Sequence, residues 1–179
     1  MRTNTRLLNE AYGTHYAQRF IGKRSCYVRF HLNGNELGRR NVIFRGFSYR
    51  DEVSDKLAEK FRSALSRFYY GNAARRFDRK ADMTIALHKG RFFDSKANSY
   101  VFNEVGNWHF HIVAEVPDHK SFDEVKECVK LFVARNAPLT VPQSQSNTDA
   151  PALYFAETRD DVAAQIYNAR FGTDSVLLL

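Results

Sequence analysis

Proline, cysteine and long apolar runs are all scarce in this chain, and each scarcity excludes a class. The 179 residues contain four prolines and two cysteines. Cys26 and Cys128 are too few and too far apart for a disulfide scaffold or a zinc knuckle, and are expected to be reduced core thiols. No apolar run approaches the length that spans a bilayer, since the closing run from Val176 to Leu179 is only four residues. The basic start, with Arg2 and Arg6, has no apolar block behind it, so no secretory signal is read and the cytosol is the expected compartment. A phosphate-binding loop of the G-x-x-x-x-G-K-[ST] form is also missing, so the chain has no nucleotide-hydrolysing loop of that kind. Internal repeats and Gly/Ser linkers are lacking too, and the length suits one domain.

What the chain does have is positive charge and a good supply of aromatic side chains. Lys and Arg number 27 against 20 Asp and Glu, a net +7, and aromatics make up 14%. Polyanions are the natural partners of such a surface, although net charge alone is also compatible with an ordinary basic protein.

Periodicity supplies the elements. Val28, Phe30 and Leu32 alternate with Tyr27, Arg29 and His31 in a strand over 26–32, and Val42 to Phe44 is a second extended stretch that pairs with it across a turn at 33–35. Val53, Leu57, Phe61, Leu65 and Phe68 recur at helical spacing over 51–70, with Lys56, Lys60, Arg62 and Arg67 on the other face. Arg75, Arg76, Arg79 and Lys80 extend the basic character. Strands are expected over 82–88, 99–105 and 108–116. Ser121 and Glu124 form a capping box for a helix to about Arg135, followed by a loop over 138–151, a strand over 152–156 and a last helix from Thr158 to Gly172. Residues 1–23 form a leading helix or an arm, ahead of one domain over 24–179. The order predicts an α+β fold, a ferredoxin-like or RRM-like antiparallel sheet with helices packed on one face.

The candidate site begins at His109 and His111. Two apart on a strand, they share one face, which they would not do on a helix. If Gly106 and Asn107 form a two-residue hairpin turn, Glu104 stands directly opposite His109 on that face. Two imidazoles and a carboxylate form a set able to hold a divalent ion, Mg²⁺ or Mn²⁺, that polarises a phosphate oxygen. The bland reading is a pair of polar residues on an exposed sheet face. On the last helix Arg170 falls one turn after Tyr167, where a guanidinium eases ionisation of the phenol and can grip a phosphate. Tyr167 is then a nucleophile, or else a half-buried aromatic on an amphipathic helix.

Together, Trp108 to Val113 and, past one helix and one strand, Val162 to Arg170 resemble the HUH endonucleases, the replication initiators and relaxases of rolling-circle plasmids, phages and small DNA viruses. The resemblance covers roughly residues 24–172, and small phage or prophage replication proteins are the nearest in kind. It implies that His109 and His111 are metal ligands, with Glu104 as the third and His88 as second choice because relaxases use three histidines. It also implies that Tyr167 attacks a phosphate of single-stranded DNA or an origin hairpin. Two departures stand out. Arg170 occupies a position where the family commonly has Lys, and Phe171 is found where two-tyrosine members carry a second nucleophile, which points to the single-tyrosine type. Tyr154 is a fallback nucleophile or a core ring. Tyr27 and Tyr100 are candidates for base stacking, and Lys56, Lys60, Arg62, Arg67, Arg75 and Arg76 for backbone contacts. Glu115 is expected to be solvent-facing or salt-bridged, Glu157 to support the helix start, and His15, His31 and His119 to be structural or surface residues. A non-catalytic nucleic-acid-binding module on the same fold is the alternative.

Overall fold

A computed structural model describes residues 11–32, 52–89, 91–94, 99–102, 108–136, 140, 153–158, 161–168 and 176–178. Residues 11–17 form helix α1 and run into a 3₁₀ turn, Gln18–Phe20. Then come β1 (Ser25–His31), α2 (Glu52–Tyr70), the short α3 (Asn72–Arg76), β2 (Met83–Lys89), β3 (Arg91–Asp94), β4 (Ser99–Phe102), β5 (Trp108–Glu115), α4 (Phe122–Arg135), β6 (Leu153–Glu157), α5 (Asp161–Asn168) and β7 (Val176–Leu178). The main sheet has the order β6-β1-β5-β2-β7 and is antiparallel throughout, while β3 and β4 pair only with each other. Its first four strands, with α2 and α4 as crossovers, have the split βαβ arrangement of ferredoxin-like α+β folds, as the element order predicted.

Period two divides the sheet into two faces. Val28, Phe30, Ile85, Leu87, Phe110 and Ile112 point to one side and bury against Leu57, Phe61 and Leu65 of α2 and Val125, Val129 and Phe132 of α4. Phe30 meets Phe110 edge-on at 5.6 Å and Phe61 meets Phe132 at 5.0 Å, so the core is built largely from aromatic rings. Burying each such ring contributes roughly 2–3 kcal/mol, which offsets the ordering of a long amphipathic helix. The helix over 122–135 starts with the expected capping box, in which the Glu124 N–H donates to Ser121 Oγ and the Ser121 N–H donates to the Glu124 carboxylate. The hydrogen bond from the Ser121 N–H holds that carboxyl below its ordinary pKa.

Three expectations about pairing are corrected. The two edges of β1 are taken by β5 and β6, so Val42 to Phe44, which lie outside the described residues, are not its neighbours over that span. The strand at 99–102 pairs with β3, not with β5. Finally, the helices do not all share one face. α2 and α4 cover one side, while α1 and α5 lie on the other, where Tyr16 packs on Ala86 and Thr84 Oγ1 donates to Gln165 Oε1 at 2.8 Å. α1 and α5 touch closely, since a Cβ at Gly13 would collide with the backbone and side chain of Ile166. Only glycine allows that approach.

Both thiols are free, as anticipated. Burial pushes Cys26 up to about 12 and raises Cys128 less steeply. At pH 8 an alkylating reagent is therefore expected to label Cys128 slowly in the native protein and Cys26 only after unfolding. Mass spectrometry of the labelled peptides checks this, and equal native labelling of the two would contradict the placement of Cys26. Among the described residues no helix is long and apolar enough to cross a membrane.

Candidate metal centre

The sheet face away from the aromatic core carries Tyr27, Arg29 and His31 on β1, His109 and His111 on β5, and Thr84, Ala86 and His88 on β2. The register sets His31, His109 and His88 side by side across three strands, with Arg29, His111 and Ala86 in the next row. His109 and His111 therefore share a face as the period-two pattern predicted, and His88 joins them from the neighbouring strand. All three are buried, and their donor nitrogens lie within 4.8 Å of one another. Ring centroids are 4.4 Å apart for His88 and His111, 4.6 Å for His109 and His111, and 6.0 Å for His88 and His109.

The carboxylate expected opposite His109 does not hold that position. Both cross-strand partners of His109 are histidines, His31 and His88, because β5 is a central strand whose edges are taken by β1 and β2. The strand over 99–102 pairs with β3, and Glu104 itself lies outside the described residues. Among the described residues the group that can hold a cation is His88, His109 and His111. Three imidazoles suit a first-row transition ion better than Mg²⁺, which prefers oxygen ligands and retains its water.

The surroundings fix these rings and set their electrostatics. The Tyr27 hydroxyl is hydrogen-bonded to His111 Nδ1, and the two rings lie 5.7 Å apart. If His111 offers the Nε2 lone pair to an ion, Nδ1 carries the hydrogen and donates it to the Tyr27 oxygen, which holds the ring in one tautomer and orientation. Tyr27 is half-buried, and its hydroxyl is engaged by His111. Arg29 lies 5.8 Å from the ring of Tyr154, which is 44% exposed on the same face and is no core ring. His31, expected to be structural, lies 5.5 Å from His109. Burial, and then the charge of Arg29, lower its pKa to about 4, so it is neutral at pH 7.

Helix α5 packs on this same face through the buried pair of Thr84 and Gln165. Tyr167 belongs to that helix, two residues beyond Gln165. Arg170 and Phe171 lie outside the described residues, as does the end expected at Gly172.

The basic candidates fall elsewhere. Lys56, Lys60, Arg62 and Arg67 belong to α2, which covers the opposite side of the sheet. Lys60 Nζ donates to Asn136 Oδ1 at 2.6 Å and Arg62 Nε to the Ala81 carbonyl at 3.4 Å, which are internal contacts. A strand held at the histidines would have to pass around the sheet to meet them. Arg75 and Arg76 sit on α3 beyond the end of α2, exposed. Glu115 is salt-bridged to Lys23 at 2.9 Å, as one of its expected roles required, and Lys23 also pairs with Asp82 at 3.1 Å. Glu157 ends β6, paired across from Cys26. His119 is structural, bonded to the Tyr69 carbonyl, and His15 is exposed on α1. Tyr100 lies on the separate β3–β4 pair.

Sequence reasoning overlooked Tyr27 as a partner of His111 and Arg29 as the cation beside the histidines. The period-two pattern that placed His31 on this face carried the signal for both, because Tyr27 and Arg29 share its parity. No family model, curated protein or solved structure matches the chain.

Proposed function

We propose that this chain is a metal-dependent endonuclease of the HUH type that nicks and rejoins single-stranded DNA, as in the initiation of rolling-circle replication. The observation that carries the proposal is the meeting of three buried histidines from two adjacent strands, on the sheet face against which the helix that bears Tyr167 also packs. His88, His109 and His111 would hold a divalent ion, Mn²⁺ or a similar transition ion in preference to Mg²⁺, whose chemistry is to polarise a non-bridging oxygen of the scissile phosphate. Arg29 adds a positive charge on the same face, where a phosphate would be received. Tyr167 loses its phenolic proton and its oxygen attacks phosphorus in line. The bond to the 3′ oxygen breaks, that oxygen takes up a proton, and a 5′-phosphotyrosine linkage forms. Since one phosphoester replaces another, the reverse attack by a 3′-hydroxyl rejoins the strands without a nucleotide cofactor. A separate helicase would open the duplex, and the cytosol of a host cell is the proposed setting. The alternative of a passive RRM-like module is less well supported, since α1 and α5 cover part of the sheet face that such a module leaves open.

The test is direct. End-labelled single-stranded oligonucleotides are incubated with the protein and Mn²⁺ and run on a denaturing gel. A covalent protein–DNA adduct is expected. Cleavage without an adduct would mean that water is the nucleophile, and binding alone would leave only the passive module.

Tyr27 provides a prediction of its own. Tyr27→Phe removes the hydroxyl bonded to His111 and leaves the ring, so the fold should be unchanged while affinity for Mn²⁺ or Co²⁺ falls roughly ten- to a hundredfold. Calorimetric titration measures this, and unchanged affinity would show that Tyr27 does not orient His111.

A further inference from the structure

Away from the histidines, the link between α2 and β2 forms a basic tip that carries an exposed ring. Gly71 at φ +55° and Asp78 at φ +48° turn the chain sharply on either side of α3. Between and just after these turns stand Arg75, Arg76, Phe77, Arg79 and Lys80, all exposed. The backbone of Phe77 is fixed, because its N–H donates to the Ala73 carbonyl at 3.0 Å, yet its side chain is 63% exposed. The Arg76 guanidinium lies 5.4 Å from the centre of that ring. The acid of the segment, Asp78, is paired with Lys80 at 3.1 Å, which leaves Arg75, Arg76 and Arg79 as the remaining charges of the segment.

A phenylalanine held in water by an ordered backbone, with one guanidinium against its ring and other cations next to it in sequence, has nothing to do for the core. We infer that this tip is a second nucleic-acid contact, which stacks an unpaired base of single-stranded DNA on Phe77 and holds the flanking phosphates with Arg75, Arg76 and Arg79. An unpaired base offers its face to the ring, whereas bases in a duplex are already stacked on one another. An anionic membrane would be the other partner for cations beside an apolar group. A helix that binds a membrane surface presents a continuous apolar face, whereas this tip offers a single ring beside an α3 of five residues.

The location adds a length requirement. Ala81 and Asp82 lead straight into β2, and His88 stands near the far end of that strand. Met83 to His88 spans about 17 Å at strand rise. At about 3.4 Å per stacked nucleotide, a strand reaching from the histidines to the tip covers at least about five nucleotides. This inference rests on the nicking proposal only in supposing that one strand serves both places.

The experiment separates the two ideas. Binding of the full chain to a fluorescent dT20 oligonucleotide is measured by anisotropy in EDTA, where no metal chemistry takes place. Phe77→Ala is expected to weaken binding roughly fivefold to a hundredfold with an unchanged circular dichroism spectrum, and Phe77→Trp to restore it. The double substitution Arg75→Gln and Arg79→Gln should reduce the slope of log affinity against log salt by about 1.4. In the nicking assay, Phe77→Ala should impair only substrates that extend at least about five nucleotides beyond the cut. A folded Phe77→Ala that binds dT20 like the wild type overturns the inference, as does preference for phosphatidylserine vesicles over dT20. If Phe77→Ala loses binding but no adduct forms with Mn²⁺, the tip stands and the nicking proposal falls. An adduct together with unimpaired binding by Phe77→Ala overturns the tip and leaves the nicking proposal standing.

Discussion

Tyr167→Phe is expected to abolish the covalent adduct with single-stranded DNA and to lower nicking by at least about 10⁴-fold, the scale seen when an enzyme loses its nucleophile. The substitution removes one oxygen and keeps the ring, so whatever packing the phenol makes is largely retained and the melting temperature should be nearly unchanged. Affinity for the oligonucleotide should also hold, because the phenol forms its bond to phosphorus only during the reaction and adds little to ground-state binding. The comparison is made on a denaturing gel with Mn²⁺ and equal amounts of bound DNA. Persistence of the adduct in Tyr167→Phe would move the nucleophile elsewhere. Tyr154, an accessible phenol on the histidine face, is then the next residue to replace.

The second large effect concerns the ligands. Replacing a residue that only orients a ligand costs ten- to a hundredfold in metal affinity, so removing an imidazole that itself binds the ion should cost more than about a hundredfold. His88→Ala, His109→Ala and His111→Ala are expected to behave alike in titrations with Mn²⁺ or Co²⁺ and to lose nicking together. Glu104→Ala is expected to bind the ion nearly as well as the wild type, because the positions across from His109 belong to His31 and His88. The reverse ranking, with Glu104→Ala severe and His88→Ala mild, would restore the carboxylate set. Each alanine also leaves space in a buried row of rings, so His88→Gln, closer in volume and still polar, serves as the control for folding.

Much of this could be read from the residues in order. Alternation along 108–115 placed His109 and His111 on one face and Phe110 and Ile112 on the other, since that parity is a local property of an extended chain. The apolar stripe of α2 and the capping box of α4 were equally local. Which strands lie beside β5 was not legible. Gly106 and Asn107 suggested a hairpin, and hairpin logic can only pair neighbours in sequence, whereas β5 is flanked by strands that begin 83 and 25 residues before it. His88, which the register brings beside His109, therefore ranks in the sequence behind an acid just before the expected turn. β3 and β7 were missed for a related reason. Arg91–Asp94 is too short to show alternation, and Val176–Leu178 is uniformly apolar, a pattern that does not distinguish strand from helix. The basic face of α2 was real as a pattern, but its side of the sheet depends on tertiary packing that no spacing encodes.

The register between β2 and β5 has one more implication. A slip of a single residue would turn every side chain of β2 over, sending His88 among the phenylalanines and bringing Leu87 to the opposite surface. Correct alignment of these two strands and the meeting of the three histidines are accordingly one property. A mispaired chain would lack the three-histidine cluster, so an ion captured at this place would act as a proofreader of strand pairing, favouring the in-register conformer over its competitors.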